Sequence, residues 1–327
     1  MCIRPTRPST MYSFSNTAYT SGSQSQASIR IERLVQSIER TDNPAFEIIQ
    51  TQSGYERAQR TRISKYVDSM QQMFDLFDDR HPYVYSEHLQ AFWEACQDIG
   101  LERSPVGLTC LNEQGTAYLD FHHSMNVLVA RIRQMISSKR YKRKADDRRY
   151  EASRKQATLR EYVSQVLDRY SRTVVIRVDL HYRAMARPRL RIEHVFNDLD
   201  KLIRARERNP IFDHETGYIC SVEHGEDKGF HIHAAFFFNG AEVRSDFAKA
   251  RKVGELWEQI TRGQGYFFSC NDDKDRYGDE LGIGVIKRAD SEACRKSIKA
   301  VSYLTKDNQY LRMKPAGART YRTGRIR

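Results

Sequence analysis

Paired cysteines are what this chain of 327 residues most visibly lacks. Cys2, Cys96, Cys110, Cys220, Cys270 and Cys294 are scattered, and no CxxC occurs among them. In a chain of this length that pattern argues against a disulfide framework and for free thiols in a reducing compartment. No apolar run approaches the roughly 18 residues that a membrane-spanning helix needs. The N-terminal stretch MCIRPTRPSTMYSFSNTAYT holds no hydrophobic core of a secretory signal. A cytoplasmic protein without a membrane partner is therefore expected. Hydrophobic residues are also sparse, at 39% against 29% charged, yet neither figure reaches the balance of a wholly disordered chain.

What is abundant is positive charge. The formal net charge is +12, and a surface rich in Lys and Arg binds phosphate backbones by releasing their counterions. The excess is concentrated in residues 131–160, RIRQMISSKRYKRKADDRRYEASRKQATLR, where twelve basic residues face three acidic ones, a net of 12 − 3 = +9. This stretch reads either as a solvated helical linker or as a helix that grips duplex DNA.

Residues 1–29 are rich in Ser, Thr, Gln and Gly and read as a disordered arm. Residues 30–150 read as a mostly helical module with the basic linker at its end. Apolar residues recur at helical spacing in 28–51, 63–79, 86–100 and 122–140, where His122 and His123 suit a helix start better than a ligand role. From residue 160 the texture changes. Ser171–Arg183 is dense in β-branched residues, Arg191–Asn209 is an amphipathic helix stopped by Pro210, and TGYICSVEHG and GFHIHAAFFFNG read as two strands joined by a turn. A helix over Arg244–Thr261, two short strands and a last helix over Ser291–Arg312 complete the order β-α-β-β-α-β-(β)-α. The fold class expected for this half is α+β, an antiparallel sheet with helices on one face.

Two constellations carry chemistry. Side chains alternate along a strand, so His231 and His233 share a face while Ile232, Ala234, Phe236 and Phe238 take the other. A hairpin through HGEDKG sets Glu223 directly across from His231, within reach of a shared ion. Two imidazoles and a carboxylate with open positions suit a divalent cation such as Mg²⁺ or Mn²⁺. His224 points to the opposite face, and Glu226 and Asp227 suit the turn. The second constellation is AVSYLTKDNQY, where Tyr303 and Lys306 share a helix face with Lys299 one turn earlier and Tyr310 two turns on. A tyrosine hydroxyl attacks phosphorus when a neighbouring cation lowers its effective pKa. Ordinary helix-to-sheet packing is the competing reading of Tyr303.

A glutamate eight residues before an H-hydrophobic-H strand, followed by a helix bearing Y-x-x-K, resembles the HUH superfamily of rolling-circle replication initiators. Within it, HIHAAFFFNG, YLTK and the closing RTYRTG are most similar to the inovirus-type replication proteins, the YagK/YfjJ C-terminal family. The likeness covers residues 170–325 and is silent on residues 1–150.

The resemblance implies an HUH-like endonuclease domain over 160–327 that nicks single-stranded origin DNA of a phage- or prophage-like element. It implies Tyr303 as nucleophile, Lys306 as the group that screens the phosphate, His231, His233 and Glu223 as metal ligands, and the host replication machinery as a partner. The first strand departs from the family's threonine-rich pattern: VVIRVDLHY carries Asp179 and His181, which either approach the site or, as the preferred expectation, face solvent. Two rivals remain. One is a non-catalytic origin-binding or regulatory protein on the same scaffold. The other is a phosphoesterase with paired histidine motifs, for which none of His81, His88, His194 or His214 supplies the second motif.

Overall fold

The computed structural model describes residues 23–77, 81–302, 304 and 310–326. The N-terminal module comprises α1 (Gln24–Glu39), the hairpin β1 (Phe46–Gln50) and β2 (Glu56–Arg60), the short helices α2 (Ser64–Val67) and α3 (Met70–Phe74), β3 (Tyr83–Tyr85), α4 (Glu87–Asp98), the hairpin β4 (Glu102–Ser104) and β5 (Gly107–Thr109), and α5 (Phe121–Ser137). Ile31, Leu34, Val35 and Ile38 of α1 recur at helical spacing and bury against Leu89 and Phe92 of α4 and Met125, Leu128 and Ile132 of α5. The Ser23 hydroxyl caps α1 by accepting from the Gln26 amide, so residues 24–29, expected in the arm, are helical. The helix expected to run to residue 51 stops at Glu39. The segment Asp42-Asn43-Pro44 bars its continuation, and the β-branched pair Ile48-Ile49 then serves the hairpin.

The long helix α6 (Lys139–Arg169) carries the basic stretch. Ser138 separates it from α5: its backbone is extended and its side chain accepts from the Tyr141 amide. The C-terminal half of α6 is not a solvated linker, because Leu159, Val163, Val166 and Leu167 are buried against the sheet.

The remaining elements are β6 (Arg172–Tyr182), α7 (Ile192–Ala205), β7 (Glu215–Gly225), β8 (Gly229–Asn239), α8 (Asp246–Ile260), β9 (Gly265–Ser269), β10 (Gly284–Lys287), α9 (Ser291–Ser302), β11 (Met313–Pro315) and β12 (Tyr321–Thr323). Six of these strands form one antiparallel sheet in the order β10-β6-β8-β7-β12, with β9 sharing the outer edge of β6 with β10. The class is α+β, as expected, but the helices cover both faces. Alternation along the strands makes two sets. Val174, Ile176, Ile232, Ala234, Phe236 and Phe238 pack under α7 and α8, where Val195, Leu199 and Leu202 repeat at helical spacing. Val175, Ile219, Ala235 and Phe237 pack under α6 and α9.

Among the described residues, the helices α6 and α9 pack over the end of that second face at Val175, Ile219, Ala235 and Phe237. Beyond Ala235 the same alternation carries His233 and His231, and the site lies there. The final helix also differs from expectation: α9 ends at Ser302, and Tyr310–Arg312 are not helical. Tyr303 and Lys306 lie outside the described residues. No helix among the described residues is long and apolar enough to cross a membrane.

Candidate metal centre

The hairpin of β7 and β8 turns through Glu226, Asp227 and Lys228, and its register sets Glu223 opposite His231 and Ser221 opposite His233. Two glycines close it. Gly225 leaves room for the His231 ring, which a Cβ there would meet at 3.3 Å, and Gly229 adopts a left-handed φ of 66° with Ser25 of α1 packed against it. On β6, Asp179 is opposite His233. The polar groups of three neighbouring strands thus converge on one patch.

Ligand atoms from Glu223, His231 and His233 all lie within 4.8 Å of one another. Both Nε2 atoms face the same carboxylate oxygen: His233 Nε2 is 3.3 Å and His231 Nε2 3.9 Å from Glu223 Oε2. Each Nδ1 is committed elsewhere. His231 Nδ1–H donates to the Gly229 carbonyl at 2.9 Å, and His233 Nδ1–H donates to Asp179 at 2.5 Å. These second partners fix ring orientation and leave Nε2 as the coordinating atom, which is how metal-binding histidines are usually held. Glu223 Oε1 is buried without a hydrogen-bond partner among the described residues, an unsatisfied acceptor of the kind a cation satisfies. The donor set therefore fits a divalent ion, and its two imidazoles suit Mn²⁺ better than Mg²⁺, which prefers an all-oxygen shell.

Electrostatics separate the two imidazoles. Burial works to depress His233, but the hydrogen bonds and charges of Asp179 and Glu223 outweigh it and push the group up to about 9. Burial and the repulsion of His233 push His231 down to about 4. Burial also raises Glu223, with His233 and Lys155 pulling the other way. Asp179 is held below the usual carboxylate range: burial opposes this, but the His233 hydrogen bond and the charges of His233 and Arg177 prevail.

The three expected ligands come together. Asp179 and His181, expected to face solvent, do not: their residues are only 8% and 1% exposed. The His181 ring stacks on Tyr266 and lies tilted against His231, with centroids at 5.1 and 5.4 Å. The signal was present in RVDLH, where Arg177, Asp179 and His181 place polar groups at every second position of an otherwise apolar strand. His224 points to the opposite face, as expected, with its ring over Phe230 and Nε2 2.7 Å from the Ser25 hydroxyl.

Tyr310, the second tyrosine of the AVSYLTKDNQY segment, is spoken for. Its hydroxyl donates to Glu32, its ring lies under the Arg148 guanidinium at 4.2 Å, and burial and the Glu32 charge raise its pKa far above the ordinary phenol. That is the wrong direction for a nucleophile.

Fold and site together define an α+β domain whose central antiparallel hairpin presents an oriented His-x-His and carboxylate set. The family model of the YagK/YfjJ C-terminal domain matches residues 133–311, more than half of the chain, and the protein belongs to that family. The match takes in all of α6, so the basic helix is part of the family's domain. Among curated proteins and among solved structures, no match to the chain was found.

Proposed function

We propose that the protein is a metal-dependent nickase of the HUH type, initiating rolling-circle replication of a phage- or prophage-like element. The observation that carries this reading is the convergence of His231 Nε2, His233 Nε2 and Glu223 Oε2, with both Nδ1 atoms already committed. Glu223, His231 and His233 would hold Mn²⁺ or Mg²⁺, which when bound supplies Lewis-acid polarisation of a phosphodiester. Asp179 orients His233, and the Gly229 carbonyl orients His231.

The nucleophile in this reading is the Tyr303 hydroxyl. Its oxygen forms a bond to phosphorus as the bond to the 3′-oxygen of the preceding nucleotide breaks. The phenol proton is balanced by the one that the released 3′-hydroxyl gains, and the product is a 5′-phosphotyrosyl link. No water, oxidant or nucleotide cofactor is consumed. Lys306 would screen charge on the phosphate. Two residues flanking Tyr303, Val301 and Leu304, join the cluster of Ile219, Ala235 and Phe237, on the face that carries His231 and His233.

The test is a nicking assay on single-stranded origin DNA with Mn²⁺ or Mg²⁺. A covalent adduct is expected that disappears in Tyr303→Phe and falls sharply in His231→Ala. An adduct that survives Tyr303→Phe overturns the nucleophile assignment. A wild type that binds origin DNA without forming an adduct supports a non-catalytic origin-binding or regulatory protein on this scaffold instead.

A further inference from the structure

A cleft of about 1070 Å³ runs from the exposed side of α6 to Ser221 and Glu223, lined by α6, by the β3–α4 segment with β11, which pairs with β3, and by β12 and the residues just before it. It is continuous with the metal centre through Glu223. Four of the cations lining it, Lys144 and Arg154 of α6 and Lys314 and Arg319 of the C-terminal tail, have no carboxylate within ion-pairing distance among the described residues. Most other arginines near it are matched: Arg148 pairs with Glu87 at 2.9 Å and Arg322 with Asp200 at 2.9 Å. Lys155 is held at the inner end, donating to Thr320 at 2.8 Å and lying over the Tyr321 ring at 4.9 Å.

Seven cations line the cleft against four carboxylates, Glu87, Asp147, Glu151 and Glu223, a net of 7 − 4 = +3 that attracts an anion. The repeat of basic residues along α6 from Lys144 to Lys155 covers about 16 Å at 1.5 Å per residue, which points to a chain of phosphates rather than a single anion. Tyr83, Tyr85, Tyr310 and Tyr321 are half-buried in the lining and add aromatic surface. A basic groove with aromatic surface is the usual arrangement for an unpaired strand, whereas a duplex exposes phosphates outside its stacked bases.

Resting on the nickase reading above, we propose that this cleft is the track along which single-stranded DNA reaches the metal centre. The N-terminal module and the tail then form its walls, and the side of α6 facing away from it contributes little.

The test is fluorescence anisotropy with labelled oligo-dT and an equal-length duplex, in EDTA, so that it is independent of nicking. The triple variant Lys144→Glu, Lys314→Glu, Arg319→Glu is expected to lose at least tenfold in single-strand affinity. The slope of log K against log salt should shrink by about 2, from roughly 0.7 per lost phosphate contact. A control on the other side of α6, Lys142→Glu with Arg160→Glu, should leave single-strand affinity within twofold. Mn²⁺ titration calorimetry reports folding of each variant; if the triple variant fails it, the three single substitutions replace it, each expected to lower the slope by about 0.7. Unchanged single-strand affinity in the groove variants, an equal loss in the control, or a duplex that binds as tightly as the single strand each overturns the proposal. If groove variants lose affinity while wild type never forms an adduct, the track stands and the nickase reading falls.

Discussion

Asp179 on β6 and His233 on β8 face each other in the sheet register, and the carboxylate accepts the His233 Nδ1–H at 2.5 Å. The pair is separated by 54 residues in sequence, so the third strand of the centre acts through a ligand rather than as one. Removing such a partner usually weakens metal affinity by about 10–100-fold. Asp179→Ala should therefore reduce Mn²⁺ affinity by that factor in titration calorimetry. Affinity equal to wild type would show that the aspartate does not orient His233.

Proton linkage follows from the same pair. With His233 held up to about 9, the metal-free chain carries an imidazolium there at pH 7, and coordination through Nε2 must displace a proton. Mn²⁺ binding at pH 7 should release about one proton, and affinity should rise from pH 6 and level off above about 9. Because the folded value lies above the ordinary 6.5 or so, this group stabilises the metal-free fold fully below that ordinary value and loses the contribution as pH rises through about 9. Calorimetry in buffers of different ionisation heat counts the protons; a count near zero at pH 7 contradicts the assignment.

Arg312 ties the tail and the first helix to the metal hairpin. Its guanidinium donates to Glu32 Oε2 at 2.6 Å and to the His224 carbonyl at 2.9 Å, one residue from the Glu223 ligand, and both side chains of the ion pair are almost fully buried. Breaking a buried pair by removing one member strands the other charge, at a cost of about 3–5 kcal/mol. Arg312→Ala should lose about that much in urea denaturation, and Arg312→Met with Glu32→Leu should recover a large part of it. A single substitution within 1 kcal/mol or so of wild type would mean that Glu32 finds water instead.

Tyr310→Phe separates the two tyrosines. Deleting its hydroxyl leaves Glu32 Oε1 without its donor, so a loss of about 1–3 kcal/mol in stability is expected, with adduct formation kept at temperatures where the variant is folded. Loss of the adduct in the folded variant would move the nucleophile to Tyr310.

Gly254 is where α8 lies flat on the sheet. A Cβ there would meet the Phe267 ring at 2.2 Å, and Phe267 is held in β9 against β6. Gly254→Ala should cost about 1–3 kcal/mol as an overpacked site, even though alanine favours helix over glycine by about 1 kcal/mol. A stability gain in thermal denaturation would show that Phe267 moves aside freely.

Local chemistry settled a good deal in advance. Alternation along HIHAAFFF divides ligand face from apolar face without reference to any other strand, because a strand's side chains point to opposite sides by geometry alone. A short hairpin then sets Glu223 across from His231, since only two strand pairs and a three-residue turn lie between them. The α+β order and the helices α4, α7 and α8 were legible for the same reason: each rests on a periodicity within its own residues. What no local pattern holds is which distant groups meet. Asp179 stands beside His233 because β6, and not another strand, pairs with β8; Glu32 and Arg312 lie 280 residues apart and meet only because the tail crosses the first helix. The second helical layer on the ligand face, the burial of half of α6 and the cleft beside it likewise depend on packing between elements, where the free energy comes from apolar area shared by segments far apart in the chain.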